Sequence, residues 1–281
     1  MRRYLQPVSP LDYRNQAAVP GHASFSKDWA RWSEQARSRL QPLLDVRYGE
    51  GPLETCDVFG SPVDGAPVFV FVHGGWWYFL DKADFSFVAT EFAKRDAVCI
   101  CLNYPLAPHA RIEEIVSSLQ RAMLWVHGNV ARFGGDPNRI AVSGHSAGGH
   151  LSTMLSLTDW TAAGAPADLV KVNASISGLF DLYPILGSPH NEHIRMDAAT
   201  AAIASPVDLV ADFGVRHIVA VGARETTGFL WQHAMFLNTC RDADVEVEGL
   251  MLPNEHHFSV INQLADGQSP LFSSVMEALH A

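Results

Sequence analysis

Six short, largely apolar runs of strand-forming residues constrain this chain more than any other feature: "PVFVFVHGG" (67–75), "AVCICLNY" (97–104), "RIAVSGHS" (139–146), "VNASISGLF" (172–180), "RHIVAVGA" (216–223) and "VEVEGLMLP" (245–253). A strand with one wet face alternates apolar and polar side chains. A run that does not alternate is buried on both faces, as parallel strands covered by helices are. Between the second and third runs, Ile112, Val116, Leu119, Met123 and Val126 recur at helical spacing and give a helix one apolar stripe. Strand, helix, strand, helix predicts an α/β fold with a mostly parallel central sheet flanked by helices. In such sheets ligands gather where strands end and helices begin, so the chemistry is expected at the carboxyl ends of these runs. The chain's 281 residues, 48% of them hydrophobic, suffice to bury a sizeable core, and no repeat or long linker divides residues 1–281 into more than one unit. Residues 1–45 read as an N-terminal helical segment, with Trp29, Trp32 and Leu40 as packing points and a contribution to a small cap or lid.

The third run ends in "SGHSAGG", which fits G-x-S-x-G as Gly144, His145, Ser146, Ala147 and Gly148. A strand precedes it and the helix-like "HLSTMLSLT" follows, as the nucleophile elbow of a hydrolase requires. A serine forced into so sharp a turn projects its hydroxyl away from the backbone, and the helix start behind it adds partial positive charge. The bland alternative is a Gly/Ser turn without chemistry; the strand-turn-helix context favours Ser146 as nucleophile.

Acyl transfer through such a serine passes through a tetrahedral oxyanion, which needs N–H donors. One is the amide after the nucleophile, here Ala147; the others come from a loop after an earlier strand. "HGGWW" (73–77) supplies that loop: Gly74 and Gly75 let the backbone turn its amides toward the substrate, and the amide of Trp76 completes the set. Trp76 and Trp77 are expected to wall the acyl pocket and limit its size, with core packing as the ordinary alternative for one of them.

A serine needs a base oriented by a carboxylate, and in this fold the order is Ser, then Asp or Glu, then His. "LPNEHHFS" after the last run offers His256 and His257. Upstream, "VAVGARETTGF" offers Glu225 and "SGLFDLYP" offers Asp181. His73, His145 and His150 precede the acid in order and read as structural. His190 and His193 have a spacing seen in metal sites, yet no further ligands accompany them, and a polar loop is the better reading.

A formal charge of −10 with scattered basic residues argues against nucleic acid or an anionic membrane as partner, and leaves a small-molecule acyl substrate. Arg2 and Arg3 are not followed by an apolar core of signal-peptide length, and no stretch is long enough to span a bilayer, so a cytoplasmic place is expected. The four cysteines show no CxxC pair; Cys99 and Cys101 share one face of an apolar run, which suits buried free thiols. No cofactor or metal is implied, and a homo-oligomer is compatible with the composition.

Taken together, "HGGWW", "NYPLAP" (103–108), "GHSAGGHL" (144–151), "SGLFDLYPI" (177–185), "SP" at Ser205 and Pro206, "ETTGF" and "HHF" resemble the kynurenine formamidase (arylformamidase) family of α/β-hydrolases, near esterases of the hormone-sensitive lipase type. "LDVRYG" and "ETCDVF" resemble the family's first strands, so the resemblance runs from about residue 44 onward. It implies an α/β-hydrolase fold, Ser146 as nucleophile, His257 as base, because the histidine beside the phenylalanine is the one that matches, and Glu225 as acid. The family usually has aspartate where Glu225 stands; glutamate fills this role in other α/β-hydrolases. The expected activity is cleavage of a small, formyl-like acyl group from an aryl amide or ester through an acyl-enzyme. The alternatives are a short-chain carboxylesterase, a binding protein on the same fold that has lost catalysis, and a zinc-dependent formamidase, for which the histidines supply no evident ligand set.

Overall fold

The computed structural model describes residues 9–280; Arg2, Arg3 and their immediate neighbours lie outside the described residues. All six runs are strands. With β1 (Leu43–Arg47) and β2 (Thr55–Phe59), the strands β3 (Ala66–Val72), β4 (Val98–Leu102), β5 (Gly135–His145), β6 (Val172–Ile176), β7 (Arg216–Gly222) and β8 (Val247–Leu252) make one sheet in the order β1-β2-β4-β3-β5-β6-β7-β8. Every pairing from β4 across to β8 is parallel, while β1 and β2 are added antiparallel at one edge. β3 and β4 are buried along their whole length, as uninterrupted hydrophobicity predicts, and so is β6, although it carries the polar Asn173 and Ser175. β8 departs from that pattern: as the opposite edge strand it is only partly covered, and Met251 is exposed.

Two cores lie on opposite faces of the sheet because side chains alternate along each strand. Val68, Val70, Val72, Ile100 and Leu102 join one core; Phe69, Phe71, Cys99 and Cys101 join the other. The longer helices are α1 (Ala23–Leu40), α2 (Ile112–Asn129), α3 (Ala147–Ser156), α4 (Thr227–Asp242) and α5 (Pro270–His280). The five stripe residues of α2, Ile112 to Val126, are all buried in the first core. On the second face Phe69 stacks on Phe92, with ring centroids 3.8 Å apart, and Phe272 meets Phe92 edge-on. Each such buried aromatic or branched side chain contributes about 1.5–3 kcal/mol by leaving water. All four cysteines are free and buried, and burial pushes the Cys56 and Cys240 thiols up to about 12.

The N-terminal segment lies against this body. Trp29 of α1 is buried and its Nε1–H donates to Asn262 Oδ1 at 3.0 Å; Trp32 and Leu40 pack half-buried against the second core. Further upstream Tyr13 is fully buried, and its hydroxyl accepts a hydrogen bond from Gln232 Nε2 on α4 at 2.9 Å. No helix of the described residues is long and apolar enough to cross a membrane.

Candidate active site

The register of the sheet brings four turns to one edge. Val72 pairs with Gly144, His145 with Ile176, and Ile176 with Ala220, so the chain leaves β3, β5, β6 and β7 at neighbouring points. Ser146 is the first residue beyond β5. Its backbone sits at φ 59°, ψ −120°, a strained conformation for an L-residue that costs on the order of 1–3 kcal/mol, and α3 begins at the next residue. The turn is held by the Ser146 N–H, which donates to Ile176 O at 2.8 Å. Gly144 and Gly148 leave no choice of residue: a Cβ on Gly144 would overlap the Gly148 carbonyl, and one on Gly148 would overlap that of Val72.

Above the turn, Ser146 Oγ lies 3.1 Å from His257 Nε2, and His257 Nδ1 lies 2.7 Å from Glu225 Oε2. Glu225 is itself held, its Oε1 accepting from the Ser177 hydroxyl and from the Gly222 N–H at 3.1 Å. Ser146, Glu225 and His257 are 3%, 8% and 4% exposed, which keeps competing water from the relay. Phe229 backs the His257 ring at 4.3 Å, and the neutral His145 donates from Nε2 to the His257 carbonyl at 2.8 Å. His256 serves its own turn instead, its Nδ1 accepting from the N–H groups of Phe258 and Ser259. Asp181, beyond β6, caps the loop it starts: Oδ1 accepts from the Tyr183 N–H at 3.0 Å, while Gln232 ties down the backbone of Phe180 and Asp181.

The glycine loop wraps against the same turn. A Cβ on Gly74 would come within 2.7 Å of His145 O and 3.3 Å of Ser146 Cβ. Gly75 adopts φ 107°, where any side chain would run into Phe79 O, and its carbonyl accepts from both Tyr78 and Phe79 N–H at 3.0 Å. Gly75 and Trp76 border the cavity over Ser146; Gly74 lies behind them against the elbow. Ala147 opens α3, and an amide in a first turn has no partner within its own helix.

The two tryptophans part company, and the expectation that both contact substrate needs correction. Trp76 borders the cavity, its ring stacked on His190 at 4.0 Å. Trp77 is fully buried in the core: its Nε1–H donates to His150 Nδ1 at 3.2 Å, and it forms no part of the cavity wall. Both residues hold left-handed backbone, at φ 48° and 60°, and two successive side chains on so tight a turn splay apart, so only one reaches the cleft.

The remaining histidines support the fold. His150 completes the Trp77 contact by donating from Nε2 to Ala204 O at 2.7 Å, and His73 stacks on Tyr104 at 4.3 Å. Burial pushes both His73 and His150 down to about 4, so they are neutral near pH 7; burial, then the neighbouring His257, holds His145 well below the usual range. His190 bonds the Tyr78 hydroxyl at 3.0 Å, and no group of three or more potential metal ligands occurs among the described residues.

The cavity has a volume of about 60 Å³. Its floor is Ser146 and His257, and one wall is Gly75, Trp76, Phe79 and Leu80. The other wall comes from the N-terminal segment: Asn15, Gln16, His22, Ser26 and Trp29, joined by Phe258. Sequence reasoning missed Ser177 and Phe229, which steady Glu225 and His257, and did not name Asn15 or His22. The position of Ser177 within the fourth run, where "VNASI" gives way to the turn-forming "SG", was a usable signal; for Asn15 the sequence held none.

The sheet order, the strained serine turn and the hydrogen-bonded Ser146–His257–Glu225 relay together define an α/β-hydrolase. Comparison with known proteins agrees. The family described as BD-FAE matches residues 58–211. The kynurenine formamidase of Salmo salar is 30% identical over 88% of this chain and 85% of that protein. The isoprenylcysteine alpha-carbonyl methylesterase of Arabidopsis thaliana is 34% identical over 54% of this chain and 37% of its own length. A crystal structure from Silicibacter sp. TM1040, provisionally assigned as a thioesterase, superposes with a TM-score of 0.85 at 31% identity, covering 94% of this chain and 97% of that one. The chain belongs to the BD-FAE family and to the kynurenine formamidase-like α/β-hydrolases, and is a hydrolase.

Proposed function

We propose that this chain is a single-domain, cytoplasmic serine hydrolase that removes a small, formyl-like acyl group from an aryl amide or ester through an acyl-enzyme. The observation that carries the reading is the unbroken relay from Ser146 Oγ through His257 to the buried Glu225, at 3.1 and 2.7 Å. In the proposed sequence His257 Nε2 takes the hydroxyl proton as Ser146 Oγ attacks the acyl carbon, and Glu225 holds the imidazole by its Nδ1–H and balances the imidazolium. The carbonyl oxygen becomes an oxyanion facing the amides of Gly75, Trp76 and Ala147, with Gly74 shaping the loop that carries them. The proton on His257 passes to the leaving nitrogen or oxygen; water then attacks the acyl-Ser146 ester by the same route and releases the acid. The cavity of about 60 Å³ walled by Trp76 supports a short acyl group, and four buried free thiols support a reducing compartment.

The similarity to a methylesterase favours a second reading, a short-chain carboxylesterase without an amidase role. Either reading requires Ser146. Ser146→Ala is expected to fold as the wild type and to lose turnover of both formanilide and phenyl acetate by about a millionfold, because the members of such a relay act as one unit. Wild-type-like turnover by the folded variant contradicts the proposal.

A further inference from the structure

The N-terminal wall of the cavity contains an unpaired polar group. Asn15 is 3% exposed, borders the same cavity as Ser146 and His257, and its Oδ1 is buried without a hydrogen-bond partner among the described residues. A buried amide oxygen left unpaired is unfavourable, and native proteins seldom retain one without a use. Its position is also fixed from both sides. Two residues upstream, the buried Tyr13 hydroxyl is bonded by Gln232, which also grips the loop after β6, and Tyr13 meets Phe229 edge-on behind His257. Seven residues downstream, His22 lies 5.6 Å from Phe258 in the wall. Asn15 is thus held on a rigid support rather than on a loose terminus.

The rest of the lining narrows what such a group can meet. Trp29, Trp76, Phe79 and Phe258 offer apolar and aromatic surface, and none of the lining residues is lysine or arginine. This favours an uncharged aryl leaving group over an anionic one. Asn15 and Ser146 border one small cavity, so a substrate whose acyl carbon reaches Ser146 presents the groups attached to that carbon to the wall that Asn15 helps form. A side-chain amide turns about its last bond at little cost, which brings its oxygen or its nitrogen to the cavity surface.

We propose that Asn15 makes this site prefer amides: its Oδ1 accepts a hydrogen bond from the N–H of an aryl amide. An ester carries no hydrogen at that position and leaves the oxygen unpaired. The inference rests on the serine-hydrolase reading and decides between its two branches, making the chain an arylamidase first and an esterase second. A site built to pair a substrate N–H discriminates against analogues lacking it far more than an apolar pocket discriminates by size.

The test compares kcat/KM for formanilide and phenyl acetate in the wild type and in Asn15→Leu, which keeps the volume and removes the acceptor. The ratio of formanilide to phenyl acetate turnover is expected to fall at least tenfold in the variant. An unchanged ratio, with both substrates slowed alike or not at all, overturns the proposal and leaves Asn15 a packing residue. Should Asn15→Leu not fold, the wild type decides alone. N-methylformanilide, which lacks the N–H, is expected to turn over at least tenfold more slowly than formanilide, and equal rates overturn the proposal. A wild type that cleaves phenyl acetate but not formanilide also overturns it, while the serine-hydrolase reading fails only if phenyl acetate turnover survives Ser146→Ala.

Discussion

Two neighbouring strand ends each carry a buried carboxylate, and they put it to different use. Beyond β6, Asp181 turns back on its own loop to the Tyr183 N–H, and Gln232 clamps the surrounding backbone. Beyond β7, Glu225 faces outward along the edge of the sheet to His257. The loops after β7 and β8 are laced together by Ala223 N–H to Leu252 O and Arg224 N–H to Glu255 O, both at 2.9 Å, so Glu225 and His257 rise from adjacent strands as a pair. The same division separates Trp76 from Trp77 and His257 from His150: one of each pair meets the cleft, the other is packed beneath it. Residue type does not decide the role. Strand adjacency and the local hydrogen bonds that consume a side chain do.

The widest separation is expected between the carboxylates. Glu225→Gln keeps the shape and removes the charge that orients and balances His257, so kcat should fall about ten-thousandfold with the fold intact. Asp181→Asn keeps an oxygen for the Tyr183 N–H and should cost less than about tenfold in kcat, since an exchange that preserves a capping bond has a small energetic effect. Kinetics of both variants on one ester check the contrast; a severe loss in Asp181→Asn beside a mild one in Glu225→Gln would reverse it. The tryptophans come next. Trp76→Ala is expected to raise kcat/KM for octanoyl relative to acetyl esters by about ten- to a hundredfold as the wall recedes. Trp77→Ala should instead leave the chain-length profile alone and destabilise the fold by about 3–5 kcal/mol, as loss of a buried aromatic does. Chain-length profiles and chemical denaturation separate the two effects, and an unchanged profile in Trp76→Ala contradicts its place in the wall.

The smallest effect concerns the packed histidines. His73, His150 and His217 are buried, and burial lowers each from 6.5 to about 4. Between these values the unfolded chain binds protons that the folded chain does not, so stability is complete above about pH 6.5 and is lost as pH falls toward 4. The melting temperature is therefore expected to drop by several degrees from pH 7 to pH 5, and less steeply in His150→Gln. A flat profile would mean that these rings are not held neutral in the interior.

Much of this was legible in the sequence because it depends on short-range pattern. Largely apolar runs marked the parallel strands, and G-x-S-x-G with a strand before and a helix after located the turn at Ser146. β8 was grouped with the buried runs although Glu246 and Glu248 alternate with Val245 and Val247, the pattern of a strand with one wet face; its place at the sheet edge accounts for that alternation. The order Ser, acid, His left Asp181 beside Glu225, and only the structure shows which carboxylate meets His257. Trp76 and Trp77 are chemically identical neighbours, and the direction of each ring follows from a left-handed turn that no composition reveals. Asn15 was invisible for a further reason: it borders the cavity through a contact 131 residues distant in sequence from Ser146, anchored by Tyr13 on Gln232.

The central claim, that the relay at the cleft makes Ser146 a nucleophile, is tested most directly by exposing the folded wild type to a fluorophosphonate and locating the adduct by peptide mass spectrometry. Attack by an activated serine hydroxyl expels fluoride and leaves a phosphonyl ester on its oxygen. The account predicts one equivalent of label, on the peptide containing Ser146, with turnover lost in proportion. Full activity with no label on Ser146, or label on another residue accompanying the loss of activity, would contradict it.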